Sequence, residues 1–316
     1  MGSTLGLVLN PTAGKGKATG SWPHLRANFE AQGHRVVDLS APDLAGATAS
    51  ARQAVVDGLD ALVVAGGDGM VHLGVNLVAG TSLPLGIIAL GTGNDVARSL
   101  GLPRSSAKAG ADAVCQALAQ PPYRVDAVEV STPHHSMSEW FCGVLSAGFD
   151  AAVNAKANAL AWPRGESVYV RALFAELRRY QPYGFDVELD GRPCWSGPAA
   201  LVAVANGLYF GGGMKLAPQA VMDDGLIDLM VAGPLTKAQL LRVFPRIYGG
   251  SHLSHPAVNL FTGKSVTIRP RADLGANPPD AHTDGERVGP LPLTCTVVPG
   301  AVRILRPVRL TQNAPR

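Results

Sequence analysis

Short apolar stretches alternate with amphipathic segments along the first 125 residues. The apolar stretches predict buried strands, and the segments between them carry apolar residues at helical spacing, such as Trp22, Leu25 and Phe29. The predicted strands are 5–9, 35–39, 61–65 and 85–89, and the predicted helices are 17–32, 46–56, 70–79 and 94–100. Continuous apolar strands that alternate with helices indicate a parallel sheet covered on both faces.

The pattern changes near Tyr123, where strand-like segments separated by turn residues become dominant. We predict strands at 124–130, 140–147, 184–189, 199–204, 226–231, 265–269, 293–298 and 302–305, and helices near 167–180 and 236–248. This pattern is typical of a β-rich sandwich or barrel. The sequence therefore predicts an α/β domain at 1–125 and a β-rich domain at 126–302.

Composition and charge exclude several classes of protein. Of the 316 residues, 47% are hydrophobic and 16% are charged, which indicates a globular chain. The net charge of +3 is too small to favour a nucleic-acid partner. Four scattered cysteines without zinc spacing indicate reduced thiols in a cytoplasmic protein. We recognise no signal peptide and no apolar run long enough to span a membrane, so we expect a cytoplasmic location.

The strongest local motif is Gly66-Gly67-Asp68-Gly69, which joins a buried strand to a helix. Glycines allow the backbone to approach a bulky anion, and the helix N-terminus supplies N–H donors. Asp68 could orient a phosphate-bound Mg²⁺ or accept a proton. The alternative interpretation is a tight strand-to-helix turn with no ligand.

Two further turns follow predicted strands at the same edge of the sheet. Residues 10–17 are glycine-bearing but lack the first glycine and the Ser/Thr of a Walker A loop. Residues 90–95 contain Gly91 and Gly93 but lack the third glycine of a dinucleotide fingerprint, which disfavours a dehydrogenase. Thr92 and Asn94 could contact a ligand, and Asn94 or Asp95 could also simply cap the next helix.

The second domain has two acidic turns. Residues 223–228 combine carboxylates with a tight turn, which can hold a hard cation such as Mg²⁺ or can be a plain hairpin. Asp284 and Glu286 flank Gly285, so that one turn carries both carboxylates. Either carboxylate could act as a general base for a hydroxyl group.

The order of these motifs along the chain resembles one family. Asn10-Pro-x-x-Gly14, Gly66-Gly-Asp-Gly69, the segment from Leu85 to Asp95, Asp223 to Asp228 and Asp284-Gly-Glu286 follow the order seen in the diacylglycerol kinase catalytic-domain family. That family also includes sphingosine and ceramide kinases, and the chain looks most similar to its soluble bacterial members. The resemblance implies a nucleotide-binding α/β domain, a β-sandwich domain and an active site in the cleft between them. It also implies that the last strand, 303–316, returns to the first domain.

The resemblance assigns roles to particular residues. Glu286 would be the catalytic base, assisted by Asp284, with Asp68 also in the catalytic group. The Mg²⁺ site would use the Asp224 carboxylate and the carbonyls of Val221 and Leu226. ATP would contact Asn10, Pro11, Thr12, Ala13, Gly14, Ser40, Gly67, Asp68, Gly69, Met70, Val71, His72, Leu73 and Thr92.

The sequence departs from the family at Met70, where a threonine is usual, and at His72-Leu73, where many members have Asn-Glu. These departures remove a hydroxyl and a carboxylate near the site. The resemblance implies ATP-dependent phosphorylation of diacylglycerol to phosphatidic acid. The alternatives are a kinase of another lipid alcohol such as a sphingoid base or ceramide, an NAD kinase-like enzyme, or a silent lipid-binding protein.

A lipid substrate implies reversible contact with the inner face of the membrane. The candidate contact segments are 159–164, which contains Trp162, and the helix end at 178–180. The alternative for Trp162 is a place in the core. We expect no nucleic-acid partner, and the sequence leaves open whether the chain forms a homodimer.

Overall fold

A computed structural model describes residues 2–9, 17–41, 43–133, 135–159 and 166–308 of the chain. The chain divides into two compact units. Unit 1 comprises Met1–Ala127, Gly211–Gly213 and Pro299–Arg316, and unit 2 comprises Val128–Phe210 and Met214–Val298. The three glycines at 211–213 therefore group with unit 1, whereas the sequence analysis included them in the second domain.

Unit 1 is built on a parallel sheet of order β2-β1-β3-β4, and the end of a later strand, β18, pairs in parallel with β4 through Arg303 and Ile304. The elements are β1 (Thr4–Leu9), α1 (Lys17–Ala31), β2 (Arg35–Asp38), α2 (Leu44–Asp57), β3 (Ala61–Gly66), α3 (Asp68–Val78), β4 (Pro84–Ala89), α4 (Asp95–Ser99) and α5 (Ala107–Leu118). Every residue of β3 is buried, as expected for a strand covered on both faces.

Helices cover both faces of this sheet. Helices α1 and α5 contribute Leu25, Phe29 and Val114 to a core cluster with β1, β3 and β4. Helix α3 lies against the other face, and at Gly74 a Cβ would stand 2.8 Å from a methyl carbon of Leu85. Glycine at 74 therefore permits the close helix-to-sheet approach. Two helix starts are fixed by side-chain caps, Asp43 on α2 and Ser106 on α5.

Unit 2 is a β-sandwich with helices on one outer face. One sheet contains the pairs β5–β6 and the order β18-β15-β8-β9, and the other has the order β14-β13-β10-β7-β16-β17. The strands are β5 (Tyr123–Thr132), β6 (His135–Phe141), β7 (Val144–Gly148), β8 (Tyr183–Leu189), β9 (Arg192–Ala199), β10 (Leu201–Ala205), β11 (Tyr209–Phe210), β12 (Met214–Lys215), β13 (Ile227–Ala232), β14 (Val258–Gly263), β15 (Ser265–Pro270), β16 (Ala281–Thr283), β17 (Glu286–Gly289) and β18 (Leu293–Ile304). The helices are α6 (Phe149–Ala159), α7 (Glu166–Arg179), α8 (Lys237–Val243) and α9 (Arg246–Gly249).

The core of unit 2 lies between the inward faces of the two sheets, where Phe141, Phe185, Leu229, Ile268 and Cys295 belong to one cluster. The opposite face of the six-stranded sheet is covered by α6 and α7, in a second cluster that includes Phe149, Ala172 and Leu177. The four cysteines are free thiols, three of them buried. The predicted fold class, an α/β domain followed by a β-rich sandwich, is confirmed.

Several predicted elements were wrong in extent. The single strand predicted at 140–147 is two strands, β6 and β7, which separate at Cys142 and Gly143. The strands predicted at 293–298 and 302–305 are one strand, β18, and the helix predicted at 236–248 is divided between α8 and α9 at Pro245. Proline lacks the N–H of a helical hydrogen bond, which explains that division. Helices α5 and α6 and strands β9, β11, β12, β14 and β17 were not predicted.

Candidate functional site

The turn between β3 and α3 is held by backbone hydrogen bonds. Gly67 is the N-cap of α3, and its carbonyl accepts hydrogen bonds from the N–H groups of Met70 and Val71 at 3.0 and 3.2 Å. Helix α3 starts at Asp68, so its first turn directs N–H groups toward the carboxyl edge of the parallel sheet. This edge is where ligands bind in open α/β sheets, and an N-terminal turn favours anions.

The turn that follows β4 packs directly on the turn that follows β3. A Cβ at Gly91 would lie only 2.4 Å from the Cα of Gly67, and the N–H groups of Leu90 and Gly91 donate to the carbonyl of Gly66 at 2.8 and 3.2 Å. No side chain fits between the two backbones. Glycine at 91 is therefore required by this contact, and a Cβ at Gly67 would lie 3.3 Å from the Cα of Gly91.

Asn94 closes the second turn with its side chain. Its Oδ1 accepts a hydrogen bond from the N–H of Gly91 at 3.0 Å, and its Nδ2 donates to the Gly91 carbonyl at 2.8 Å. The residue is buried and has a φ of 51°, in the left-handed region where asparagine is favoured. Asn94 thus shapes the turn, and the neighbouring Thr92 is exposed.

Asp68 caps the short helix α4. Its Oδ1 accepts hydrogen bonds from the N–H groups of Asp95 and Val96 at 2.7 and 3.4 Å. Burial, and then the neighbouring carboxylate of Asp95, raise the pKa of Asp68 to about 6. A carboxyl group with this pKa exists in both protonation states near neutral pH, which suits a catalytic acid or base.

Asp95 and Arg98 hold the three-glycine loop within unit 1. The Asp95 Oδ2 atom accepts a hydrogen bond from the N–H of Gly212 at 2.7 Å, and a Cβ at Gly213 would be 3.2 Å from the guanidinium carbon of Arg98. Arg98 also donates to the carbonyl of Gly93 at 3.4 Å. The φ angles of 57°, 88° and 103° at 211–213 are accessible to glycine and strained for other residues. The loop at 211–213 therefore lies beside the turn at 91–93.

The other predicted nucleotide contacts differ in how far they are accessible. Residues Asn10, Pro11, Thr12, Ala13 and Gly14 lie outside the described residues. The side chains of Met70, Val71 and Leu73 are buried on the core side of α3, whereas His72 is half-buried. The Ser40 hydroxyl oxygen accepts a hydrogen bond from the N–H of Leu9 at 3.1 Å and thereby joins the ends of β1 and β2. Met70, Val71 and Leu73 could therefore contact a nucleotide through their backbone but not through their buried side chains.

The two acids of the β16–β17 turn in unit 2 have different environments. The Asp284 Oδ1 atom accepts a hydrogen bond from the N–H of Val144 at 3.1 Å, and the Asp284 backbone N–H donates to the Val144 carbonyl at 3.3 Å. Glu286 is exposed, and its carboxylate takes part in no hydrogen bond or ion pair with the described part of the chain. Asp284 therefore anchors the turn on β7, while the Glu286 carboxylate is available to a substrate.

The anchor of Asp284 is a narrow backbone platform at Cys142–Val144. A Cβ at Gly143 would lie 1.9 Å from the Asp284 Oδ1 atom, so only glycine leaves room for that carboxylate. The buried Asn206 holds the platform, because its backbone N–H donates to the Gly143 carbonyl at 2.9 Å and its Nδ2 donates to the Cys142 carbonyl at 3.2 Å. These contacts explain why the predicted strand 140–147 is interrupted.

The predicted cation loop lies on the surface of unit 2. The Asp224 Oδ1 atom accepts a hydrogen bond from the N–H of Leu226 at 3.0 Å, and Gly225 has a φ of 75°. Asp228 follows at the start of β13 and is buried, with hydrogen bonds at 3.3 Å from Gln219 and Thr262. The residues described contain no group of three or more His, Cys, Asp or Glu side chains that could hold a metal ion. One carboxylate with backbone carbonyls is an all-oxygen donor set, which in kind fits Mg²⁺.

Sequence reasoning missed Asp95, Arg98, Gly143 and Asn206. Their importance arises from contacts between distant parts of the chain, such as the 117 positions that separate Asp95 from Gly212. The local signals were weak. Asp95 follows the glycine turn directly, and Asn206-Gly207 follows a buried strand, a dipeptide that otherwise indicates a simple turn.

Two family models match the chain. The model of the diacylglycerol kinase catalytic domain matches residues 4–130, and the model of the YegS C-terminal NAD kinase beta sandwich-like domain matches residues 143–306. The chain is 36% identical over 300 residues to a diacylglycerol kinase of Mycobacterium tuberculosis, covering 95% of this chain and 94% of the relative. It is 27% identical to a diacylglycerol kinase of Bacillus subtilis, with 90% of each chain covered.

Solved structures share the fold. A putative diacylglycerol kinase from Bacillus anthracis superposes with a TM-score of 0.74 at 21% identity, covering 98% of both chains. An NAD kinase from Archaeoglobus fulgidus, solved with ATP, has a TM-score of 0.55 at 11% identity and covers 98% of this chain and 96% of its own. At these identities the likeness establishes the fold alone.

Proposed function

Because this chain belongs to the diacylglycerol kinase catalytic-domain family, we propose that it transfers the γ-phosphoryl group of ATP to the hydroxyl of diacylglycerol and yields phosphatidic acid. The observation that carries the proposal is the pair of glycine turns packed backbone to backbone after β3 and β4, beside the half-buried carboxyl group of Asp68. Such turns present N–H donors to phosphate without interference from side chains.

In the proposed reaction the hydroxyl oxygen of the lipid attacks the γ-phosphorus while the bond to ADP breaks. Backbone N–H groups at Gly67, Gly69 and Thr92, with the segment 10–14, would hold the triphosphate. Ser40 and His72 would lie toward the rest of the nucleotide, and Met70, Val71 and Leu73 would contribute only backbone. The developing negative charge is stabilised because these donors are already oriented.

Glu286 would accept the proton of the lipid hydroxyl. Its carboxylate is exposed and has no partner among the described residues, so accepting a proton breaks no structural contact. Asp284 would position Glu286, because its own carboxylate is hydrogen-bonded to the N–H of Val144. The proposal gives the two acids separate roles, although sequence chemistry alone could not distinguish them.

The proposed Mg²⁺ site uses the Asp224 carboxylate with the carbonyl oxygens of Val221 and Leu226. The donor set fits a hard cation, and one Asp224 oxygen also accepts the N–H of Leu226, which keeps the loop closed. When bound, Mg²⁺ would neutralise negative charge and rigidify this loop. Asp68 would serve near the phosphates, where its pKa makes it sensitive to a neighbouring cation.

The lipid specificity is the finer part of the proposal. A relative from Stenotrophomonas maltophilia, 34% identical over 188 residues, is described only as a probable lipid kinase YegS-like. An acyl-binding surface has no short motif, and one methylene or hydroxyl changes discrimination only modestly. Sphingoid bases and ceramide are therefore competing acceptors, and an NAD kinase-like activity is the competing small-molecule reaction.

Incubation with γ-labelled ATP and a panel of acceptors tests the proposal. The panel contains dispersed diacylglycerol, a sphingoid base, ceramide and NAD, and the label is followed into each product. We expect label in phosphatidic acid above all. Label mainly in the phosphorylated sphingoid base or ceramide would identify that lipid as the substrate in place of diacylglycerol. Label in NADP would identify an NAD kinase-like reaction, and no label in any product would overturn the proposed kinase activity.

A further inference from the structure

Unit 2 carries exposed apolar side chains close to exposed cations. Three of the seven large hydrophobic residues that are most exposed in the described part of the chain are Phe174 at 58%, Leu241 at 44% and Tyr248 at 52%. Exposed arginines and a lysine flank them in the sequence. We name this set the α7–α9 surface: Phe174, Arg178, Arg179, Lys237, Leu241, Arg242, Arg246 and Tyr248.

These residues belong to one continuous surface. The Nζ atom of Lys237 on α8 donates a hydrogen bond to the carbonyl of Arg178 on α7 at 2.6 Å, so the two helices meet there. Phe174 and Arg178 are four residues apart on α7, as Lys237 and Leu241 are on α8, and residues at this spacing share a helix face. The rings of Phe244 and Tyr248 pack edge to face at 6.5 Å, which joins α9 to α8.

The opposite sides of the same helices are buried together. Leu177 of α7 lies in the core cluster against which Leu240 of α8 packs, with Ala172 and Leu235 in the same cluster. The apolar residues of this cluster therefore pack in the core of unit 2. Phe174, Leu241 and Tyr248 are not needed for that core, and leaving them in water has a cost that contact with an apolar partner would remove.

The charged side chains that make up the α7–α9 surface are all cations, and the half-buried Glu176 lies between Phe174 and Arg178 in the sequence of α7. Arg178, Arg179, Lys237, Arg242 and Arg246 form no ion pair within the described residues, and no acidic residue lies between 235 and 250. A second copy of the chain would bring the same cations against each other in a two-fold interface, which is repulsive. A nucleic acid would leave Phe174 and Leu241 without a partner.

We propose that the α7–α9 surface binds the face of an anionic phospholipid bilayer, with Phe174, Leu241 and Tyr248 inserted at the level of the headgroups. Cations attract the anionic surface, and apolar and aromatic side chains enter the boundary between headgroups and acyl chains. No helix among the described residues has the length and apolar character to cross a membrane. The inference rests on the proposed function, since it brings the enzyme to a substrate that resides in the bilayer.

The surface differs from the sequence expectation. Residues 160–165, including Trp162, lie outside the described residues, and Tyr180 is only 5% exposed and belongs to the core. Of the predicted candidates in the described part, Arg178 and Arg179 remain. The structure adds residues from α8 and α9, which are more than 55 positions away and are brought to Arg178 by Lys237.

Sedimentation with vesicles tests the proposal, using phosphatidylcholine alone or mixed with phosphatidylglycerol. Wild-type protein should bind the mixed vesicles at low salt and dissociate at high salt. The variant Arg178→Gln/Arg179→Gln/Arg242→Gln should bind about a hundredfold more weakly, or about fivefold for each cation removed. The variant Phe174→Ser/Leu241→Ser should bind the mixed vesicles about tenfold or more weakly than the wild type at any salt concentration.

The matched control is Arg52→Gln/Val56→Ser on helix α2 of unit 1, where Val56 is 80% exposed. It removes a cation and an apolar side chain elsewhere and should bind as wild type. All variants should keep the wild-type melting temperature and their turnover of a short-chain diacylglycerol that is dispersed in solution. These two measurements separate a loss of surface binding from a loss of folding or catalysis.

Wild-type sedimentation with phosphatidylcholine vesicles equal to that with mixed vesicles would overturn the proposal, as would unchanged binding of the α7–α9 variants. Self-association abolished by Phe174→Ser/Leu241→Ser, without vesicle binding, would assign the surface to a second copy of the chain. If the surface variants lose vesicle binding but the wild type phosphorylates no lipid alcohol, the proposed function fails and the surface assignment stands.

Discussion

The turn between β3 and α3 in unit 1 and the turn between β16 and β17 in unit 2 both present carboxylates, but they do so by different means. In unit 1 Asp68 is half-buried, its pKa is raised to about 6, and two backbone N–H groups donate hydrogen bonds to it. In unit 2 Asp284 is held by β7, and Glu286 two residues later is exposed and forms no hydrogen bond or ion pair with the described residues. In the first turn Asp68 lies next to glycine backbone and accepts hydrogen bonds from α4. In the second turn the contact of Asp284 with β7 fixes the turn that carries Glu286.

This difference shows that an acidic motif cannot be interpreted from its letters alone. Gly-Asp-Gly at 67–69 and Asp-Gly-Glu at 284–286 have similar composition. In one, the acid caps a neighbouring helix, and in the other the first acid accepts a hydrogen bond from a neighbouring strand. The contacts, and not the residue types, separate a carboxylate that is held by its neighbours from one that is exposed.

The largest expected effect is at Asp68. Asp68→Ala removes both the charge and the cap of α4, and Asp68→Asn keeps an oxygen that can accept the N–H groups of Asp95 and Val96. We expect both variants to lose turnover by about 10³-fold or more, because the charge near the phosphates is absent in each. Circular dichroism and a melting curve check the fold. Near-normal turnover of Asp68→Asn would show that Asp68 is only a helix cap.

Asp150 is an acid with a raised pKa for which we propose no catalytic role. Asp150 lies in the first turn of α6, both of its carboxylate oxygens are buried, and burial raises its pKa to about 6. Because the pKa in the folded state exceeds that in the unfolded state, Asp150 stabilises the fold at low pH, and this contribution is lost as the pH rises through 6.

Asp150→Asn should therefore be more stable than wild type at pH 8, by up to about 3 kcal/mol. The advantage should shrink between about pH 6 and pH 4. Chemical denaturation across this pH range measures the difference in unfolding free energy between Asp150→Asn and the wild type. A constant difference at every pH would contradict the assigned titration.

A substitution at Gly143 tests whether the backbone platform at Cys142–Val144 positions the turn that carries Glu286. In Gly143→Ala a methyl group would occupy the place of the Asp284 carboxylate, so the turn that carries Glu286 must move. We expect turnover to fall by up to about 10²-fold. ATP affinity should stay unchanged, because the nucleotide turns belong to unit 1. Gly249→Ala is the control, since nothing lies within 4 Å of its added methyl group. Equal losses of turnover in Gly143→Ala and Gly249→Ala would contradict the role of the platform.

The smallest effect concerns the cation loop. If Asp224 contributes to a Mg²⁺ site, added Mg²⁺ should stabilise the wild type by about 1.4 kcal/mol at ten times its dissociation constant. Asp224→Ala should abolish that increment, whereas the adjacent Asp223→Ala should retain it. Melting curves with Mg²⁺ and with chelator provide the measurement. An equal increment in wild type and Asp224→Ala would leave the loop as a plain turn.

Strands β3 and β4 of unit 1 could be predicted because each is a short apolar run that ends at a glycine turn. Helix α5 could not, because its Ala-rich sequence contains Gly110, whose absent side chain makes room for Ile88 of β4. The break between β6 and β7 depends on a contact 140 residues away, between Asp284 and Val144. Local periodicity contains no information about such a contact.

The same limit applies to the site. Asp68, Asp284 and Glu286 were identified because their spacing with glycine is local. The resemblance already gave Asp284 and Glu286 different roles, and the structure adds the contact of Asp284 with β7. The contacts of Asp95 and Asn206 join distant positions of the chain and required the structure. Side chains that act by holding other residues are visible only after folding.

The most direct test of this account compares Glu286→Gln with Asp284→Asn in turnover of diacylglycerol and in ATP affinity. The account predicts that Glu286→Gln loses turnover by about 10²–10⁴-fold, while its melting temperature and ATP affinity equal those of the wild type. Asp284→Asn should lose less turnover and should also lower the melting temperature, because the anchor to Val144 is weakened. Turnover retained in Glu286→Gln but abolished in Asp284→Asn, at unchanged stability, would contradict the assignment of the two acids.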